Sequence, residues 1–115
     1  MPRSQTILVA APGTELRQSI VFALEADGFR VDPHLSLSAA MAAADAAENA
    51  LLVVDENALD HAKGYKALKE LGRPVILLVD RMRVSPRIGN IKVLTKPLLG
   101  RLLTDTVQNV LAARA

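Results

Sequence analysis

The stretch LLVVDENAL, from Leu51 to Leu59, decides the fold, because it places four apolar residues directly before the adjacent acids Asp55 and Glu56. A short run of leucine and valine that is bounded by polar residues is typical of a strand covered on both faces, as in a parallel sheet. Asp55 then lies at the carboxyl end of the strand, the edge where open α/β sheets bind ligands. An equally weighted alternative is that Asp55 only ends the strand or caps the next turn.

Strand and helix patterns alternate along the chain, and they predict one α/β domain over residues 1–115. The predicted strands are Ile7–Ala10, Phe29–Val31, the opening stretch, Pro74–Val79 and Ile91–Leu94. The expected helix N-caps are Thr14, Ser36 or Ser38, and Asp60, and the expected helix ends are Gly28 and Gly72. This alternation implies a parallel sheet with helices on both faces, because right-handed crossovers leave few other topologies.

The connection between the fourth and fifth strands is shorter than the others. It consists of DRMRVSPRIGN, residues 80–90, and contains Pro86 and Gly89. A parallel crossover usually needs at least about 10–12 residues including its helix. We therefore expect the fourth helix of the fold to be short or missing.

Composition excludes several classes of site. The chain has no cysteine, so it forms no disulfide, thiolate zinc site or cysteine nucleophile. His34 and His61 lie in no metal-binding pattern and are expected at the surface. Phe22 and Phe29 are expected in the core. No apolar run approaches the ~20 residues that cross a bilayer, and MPRSQTILVA lacks the pattern of a signal peptide, so we expect a cytoplasmic protein with no membrane partner.

Positive charge is concentrated in the second half of the chain, although the net charge is only +2. The segment from residue 81 to residue 92, which connects the fourth strand to the fifth and enters the fifth, carries Arg81, Arg83, Arg87 and Lys92. We interpret these residues as a partner surface, and a solvated face is the alternative. Nucleic-acid binding is a minor alternative, because no DNA- or RNA-binding motif accompanies the charges.

Four motifs, in this order and spacing, resemble those of the receiver domain of two-component response regulators, the CheY-like superfamily. They are ILVAAPGTELRQSIVFALEADGF at 7–29, LLVVDENAL at 51–59, RPVILLV at 73–79 and VLTKPLL at 93–99. The resemblance covers essentially the whole chain. It implies a flavodoxin-like, doubly wound sheet of strand order 2-1-3-4-5 in three layers.

The resemblance also implies roles for individual residues. Asp55 matches the aspartate that accepts a phosphoryl group, Lys96 the lysine that binds a phosphoryl oxygen, and Pro97 the proline that follows a cis bond in active receivers. The implied partners are a histidine kinase or phosphotransfer protein and a downstream protein. The implied function is phosphorelay signalling through protein docking, and the chain is not expected to be an enzyme.

Several positions depart from the pattern of the family. Ala11 and Pro12 stand where receivers carry the acidic pair that helps to hold Mg²⁺, so we assign no metal ligand and expect weak magnesium binding at best. Glu15, Glu56 and Asp80 are the residues that could substitute. Val79 replaces the hydroxyl residue and Val93 the switch aromatic, so the resemblance is to an atypical member.

Two alternatives to a phosphorylated receiver stay open. In the first, Asp55 and Lys96 form a partly buried ion pair, and the chain is a pseudo-receiver that acts without phosphorylation. In the second, it is a small α/β module that binds a nucleotide or nucleic acid through its basic half. AAPGTELR, at 10–17, has no P-loop or dinucleotide fingerprint, which counts against a nucleotide site. The sequence leaves the oligomeric state open.

Overall fold

The computed structural model describes residues 6–46, 51–59, 61–70, 72–80, 90–96 and 101–114. The strands are β1 (Thr6–Ala10), β2 (Arg30–His34), β3 (Leu51–Asp55), β4 (Val75–Val79) and β5 (Ile91–Thr95). The helices within these ranges are α1 (Thr14–Ala26), α2 (Leu37–Ala46), α3 (His61–Glu70) and α4 (Leu102–Arg114). A 3₁₀ turn, Glu56–Ala58, follows β3.

The strands form one parallel sheet in the order β2-β1-β3-β4-β5, which confirms the predicted flavodoxin-like topology. The residues of β3 and β4 are all buried, as expected for central strands that are covered on both faces. We predicted that the helix between β4 and β5 is short or missing, and residues 81–89 of that connection lie outside the described residues.

Successive residues of a strand point to opposite faces of the sheet, and they pack into two hydrophobic layers, one on each face. One layer packs strand residues against α1 and α4, and it contains Ile7, Val9, Leu51, Val53, Ile76, Leu78, Leu94, Ile20, Leu24, Leu103 and Val107. The other packs them against α2 and α3, and it contains Leu8, Leu52, Val54, Leu77, Leu37, Ala40 and Leu68. The alternation of side chains along a strand therefore determines which pair of helices each side chain packs against.

The ends of the helices agree only in part with the prediction. The Ser36 Oγ accepts a hydrogen bond from the Ala39 N–H at 3.2 Å, as expected of a cap for α2. Gly28 follows α1 with φ of 93°, a conformation in which a side chain would be strained. The prediction that Thr14 caps α1 is wrong. Gly13 is the N-cap and Thr14 is already the first helical residue. Asp60, the expected cap of α3, lies outside the described residues.

Two further expectations about the core are corrected. Phe22 is 77% exposed rather than buried, because it lies two residues from the buried Ile20 and therefore faces away from the sheet. Phe29 does pack against the core. His34, expected at the surface, has a side chain only 21% exposed, while the side chain of His61 lies outside the described residues.

The second strand is longer than predicted. β2 runs from Arg30 to His34 and includes Pro33, instead of ending at Val31. Proline is tolerated there because β2 is an edge strand, where one side of the backbone needs no partner. No helix within the described ranges is long and apolar enough to cross a bilayer.

Candidate functional site

The carboxyl ends of β3, β4 and β5 bring three charged side chains to one face of the sheet. Asp55 follows Leu51 and Val53 in the strand alternation, Asp80 follows Ile76 and Leu78, and Lys96 follows Leu94; all these apolar residues pack toward α1 and α4. The Lys96 N–H donates to the Val79 carbonyl at 2.8 Å, so β5 remains paired with β4 as far as the lysine. Asp55 is thus the last residue of β3, while Asp80 and Lys96 directly follow β4 and β5, so that strand ends position all three side chains.

Asp55 is nearly inaccessible, with a side chain only 4% exposed. Its Oδ1 accepts one hydrogen bond from the Lys96 Nζ at 2.8 Å and another from the Asn57 N–H at 3.3 Å. The second bond makes Asp55 the N-cap of the 3₁₀ turn. The carboxylate therefore caps the turn and pairs with the lysine at once, so the two roles weighed from the sequence coexist.

Lys96 bridges two carboxylates. Its Nζ lies 2.9 Å from the Asp80 Oδ1 as well as 2.8 Å from Asp55, and its side chain is 15% exposed. Burial lowers the pKa of Lys96, but hydrogen bonds and Coulombic attraction to Asp55 and Asp80 outweigh it and raise the pKa above the ordinary 10.5. The ammonium is therefore charged at neutral pH. We call Asp55, Lys96 and Asp80 the charged triad.

Asp80 is the exposed member of the charged triad, with a side chain 60% exposed. Its backbone N–H donates to the Glu56 Oε2 at 2.5 Å. Glu56, which follows Asp55 in sequence, thereby ties the end of β3 to the end of β4. Sequence analysis names Asp80 only as a possible substitute metal ligand and does not identify the bridge to Lys96. The alternation of β4, extended by one residue, predicts the face of the sheet on which Asp80 lies, but its contact with Lys96 also depends on the register between β4 and β5.

The loop after β1 contributes no carboxylate to the site. Ala11 is buried and Pro12 is exposed, and the Arg17 Nη1 donates to their carbonyl oxygens at 2.9 Å and 3.2 Å. Sequence analysis missed this contact, because an arginine in the first turns of a helix is ordinarily solvated. At the two switch positions, Val79 is 4% exposed and Val93 is 36% exposed.

The carboxylates near Asp55 are already engaged with other groups. Asp55 and Asp80 share the Lys96 ammonium, and the Glu56 carboxylate accepts the Asp80 N–H. Across the part of the chain that the structure describes, no group of three or more histidine, aspartate or glutamate side chains is arranged to hold a metal ion. The donor set around Asp55 therefore does not fit a magnesium site.

A cavity of about 690 Å³ adjoins the charged triad. Residues of α1 and of the first turn of α4 contribute its apolar lining, and the charged triad also lines it. Its lining includes Pro12, Leu16, Ile20, Ala23, Asn57 and Leu103. The cavity gives Asp55 and Lys96 a common recess at the edge of the sheet.

The remaining predicted site residues are placed only in part. Pro97, Arg81, Arg83 and Arg87 lie outside the described residues, and so does the predicted cis bond before Pro97. Lys92 lies on β5 and is exposed. Asp55 and Lys96 are thus the two predicted site residues that the structure brings together.

Comparisons with known proteins agree with the architecture. The chain is 29% identical over 111 residues to the transcriptional regulator protein FixT of Rhizobium meliloti, and the match covers 95% of each chain. No family model matches the chain.

Solved structures of response regulators superpose on nearly the whole fold. A response regulator from Thermotoga maritima matches with a TM-score of 0.82 and 18% identity, over 96% of this chain and 99% of that one. A response regulator receiver domain protein from Clostridium thermocellum matches with a TM-score of 0.80 and 21% identity, over 96% of both. The chemotaxis protein CheY4 of Vibrio cholerae matches with a TM-score of 0.78 and 21% identity, over 94% and 99%. The chain has the CheY-like receiver fold, which confirms the resemblance seen in the sequence.

Proposed function

From the receiver fold we propose that this chain is an atypical receiver domain of two-component signalling, in which Asp55 accepts a phosphoryl group. The observation that carries the proposal is the pairing of a nearly inaccessible carboxylate with an ammonium 2.8 Å away, at the carboxyl edge of the sheet. Perturbed and paired ionisable groups in a recess are typical of functional sites. The donor is a phosphohistidine on a histidine kinase or phosphotransfer protein.

Two groups on the acceptor side support this proposal, the Asp55 carboxylate and the Lys96 ammonium. An Asp55 carboxylate oxygen attacks phosphorus and forms a new P–O bond while the P–N bond to the donor imidazole breaks. The imidazole nitrogen leaves with the electron pair and takes up a proton. The Lys96 ammonium neutralises charge on the transferred oxygens, which is the positioning and electrostatic contribution on which phosphoryl transfer depends.

Magnesium binding by this domain is weak. Ala11 and Pro12 carry no side-chain oxygen, and Mg²⁺ in proteins is held mainly through carboxylates and substrate phosphate. The Lys96 ammonium already serves as the cation between Asp55 and Asp80. Titration with MgCl₂, followed by NMR or calorimetry, tests this point, and saturation below millimolar concentration would contradict it.

The domain signals through protein contacts rather than by turning over a substrate. In receivers, a hydroxyl side chain binds a phosphoryl oxygen, and its movement is coupled to the reorientation of an aromatic ring. Val79 has no hydroxyl and Val93 has no ring, so this chain lacks both residues of that switch. The basic segment with Arg81, Arg83 and Arg87, continued by the exposed Lys92, docks an acidic surface of a downstream protein in the cytoplasm. Reversal of the three arginines to glutamate is expected to abolish that binding, and salt is expected to weaken it.

A pseudo-receiver that is never phosphorylated is the second candidate function. The observation that favours it is that both hydrogen bonds of the Asp55 Oδ1 are satisfied within the protein, by Lys96 and by the Asn57 N–H. A carboxylate held in this way also has a purely structural use, because it caps the turn and joins β3 to β5.

Phosphotransfer from a cognate kinase separates the two candidates. The native domain, the isosteric variant Asp55→Asn and the control Asp32→Asn are incubated with the kinase labelled at its histidine. The control changes an aspartate of the edge strand β2. Label on the native domain and on the control, but not on Asp55→Asn, is the result expected of a receiver. Absence of label on a folded native domain would leave the pseudo-receiver as the function.

A further inference from the structure

We propose that Asp80 is a built-in competitor for the Lys96 ammonium and that it slows the acceptance of a phosphoryl group by Asp55. This inference rests on the proposed function. The Lys96 Nζ lies 2.9 Å from Asp80 and 2.8 Å from Asp55, so the single positive charge of the triad is shared between two carboxylates. An incoming phosphoryl group needs the same ammonium for its oxygens.

The backbone holds Asp80 in this position. Val79 is in register with Thr95, so the next residues along, Asp80 and Lys96, face each other across the end of the ladder. The Lys96 N–H bond to the Val79 carbonyl, at 2.8 Å, continues that pairing. The Glu56 carboxylate fixes the Asp80 N–H at 2.5 Å from the other side. Contact between the two side chains therefore follows from strand geometry and needs no loop movement.

Exposure decides which carboxylate a donor meets first. The Asp80 side chain is 60% exposed, whereas those of Lys96 and Asp55 are 15% and 4% exposed. A phosphoryl donor that approaches the recess from solvent therefore meets the Asp80 carboxylate before it reaches the lysine. Phosphoryl donors are anions, and like charges at close range repel each other. Asp80 thus acts twice, because it engages the lysine and repels the donor.

Acetyl phosphate is a suitable probe, because it needs no kinase docking surface. In the reaction an Asp55 oxygen bonds to phosphorus, the P–O bond to the acetyl group breaks, and acetate leaves with the electron pair. The test variant is Asp80→Asn, which keeps the shape of the side chain and removes its charge. The matched control is Glu25→Gln, an exposed acid near the C-terminal end of α1 that does not line the cavity.

Asp80→Asn is expected to be phosphorylated about fourfold faster than the native domain, the Boltzmann factor for two unit charges ~5 Å apart in water. The control is expected to react at the native rate. Added salt is expected to speed up the native domain more than Asp80→Asn, because screening removes the repulsion that the variant has already lost. An NMR titration of the Lys96 side chain gives a second measurement, in which the variant is expected to have the lower pKa.

Each outcome decides a different point. If the native domain is labelled and folded Asp80→Asn is no faster, the competitor role is wrong while the receiver function stands. Asp80→Ser repeats the comparison if the asparagine variant does not fold. If acetyl phosphate labels no folded protein, the same comparison is made with the phosphohistidine donor. If neither donor labels the folded native domain, the receiver function itself fails, and this inference fails with it.

Discussion

Replacement of Lys96 by methionine is expected to lower the free energy of unfolding by about 3 kcal/mol, because it leaves a buried carboxylate without its cation. The Asp55 side chain is 4% exposed and, among the described residues, keeps only a neutral donor, the Asn57 N–H at 3.3 Å, in place of the ammonium. Loss of one partner of a buried pair typically costs about 3–5 kcal/mol. The lower end applies here because Lys96 lies at the sheet edge and is 15% exposed.

Urea unfolding followed by circular dichroism measures this loss by linear extrapolation. The matched control is Lys92→Met, which removes an exposed lysine from β5, four residues before Lys96, and is expected to change stability by at most about 0.5 kcal/mol. The double variant Asp55→Leu with Lys96→Met is expected to recover most of the loss, because neither buried charge then remains unpaired.

Two results would refute this reasoning. If Lys96→Met costs less than about 1 kcal/mol, the pair belongs with surface ion pairs and Asp55 is not isolated from water. If the double variant is less stable than Lys96→Met alone, the loss arises from side-chain packing rather than from an unpaired charge. A changed slope of the urea transition would show that the compactness of the native or unfolded state had altered instead.

Other predictions concern the rest of the fold. Asn90→Ala should cost about 1–3 kcal/mol by urea unfolding, since its Nδ2 donates to the carbonyls of Leu68 and Arg73 at 2.7 Å and 3.0 Å, and no loss would mean water replaces both bonds. Gly28→Ala should cost about 1 kcal/mol in thermal melts because φ is 93°, and an unchanged melting temperature would contradict that conformation. Against the effect of burial, hydrogen bonds and charge attraction raise the pKa of Lys96 above 10.5 in the folded protein. The stability advantage of the native domain over Lys96→Met should therefore be complete below pH 10.5 and disappear as the pH rises through the folded-state pKa. An advantage that persists above that pKa would contradict the assigned ion pair.

The sheet could be predicted from the sequence because burial of the strands leaves a simple signal. Fully apolar runs such as Leu51–Val54 and Val75–Val79 occur where both faces of a strand are covered, and their order along the chain allows few topologies. The burial of residues on a helix that has one buried face is harder to predict. Hydrophobicity alone predicts Phe22 in the core, but Phe22 lies two residues from the buried Ile20 and is therefore on the opposite side of α1.

The convergence of Asp55 and Lys96 could be predicted because both residues end strands of one sheet. The second contact of the Lys96 ammonium, with Asp80, could not be predicted, because it depends on the register between β4 and β5, which the sequence does not specify. The hydrogen bonds from Arg17 to the loop after β1 could not be predicted either. A long side chain has many rotamers, and its acceptors here are backbone carbonyls, which have no sequence signature.

Chemical trapping of the phosphorylated residue tests the central claim, that Asp55 is the phospho-acceptor, most directly. The native domain is reacted with its phosphohistidine donor and then with borohydride, which reduces an aspartyl phosphate to homoserine, and peptide mass spectrometry locates the modified residue. The account predicts homoserine at position 55 only, and none in Asp55→Asn. Homoserine at another position such as Asp80, or none at all in a folded domain with an active donor, would contradict it.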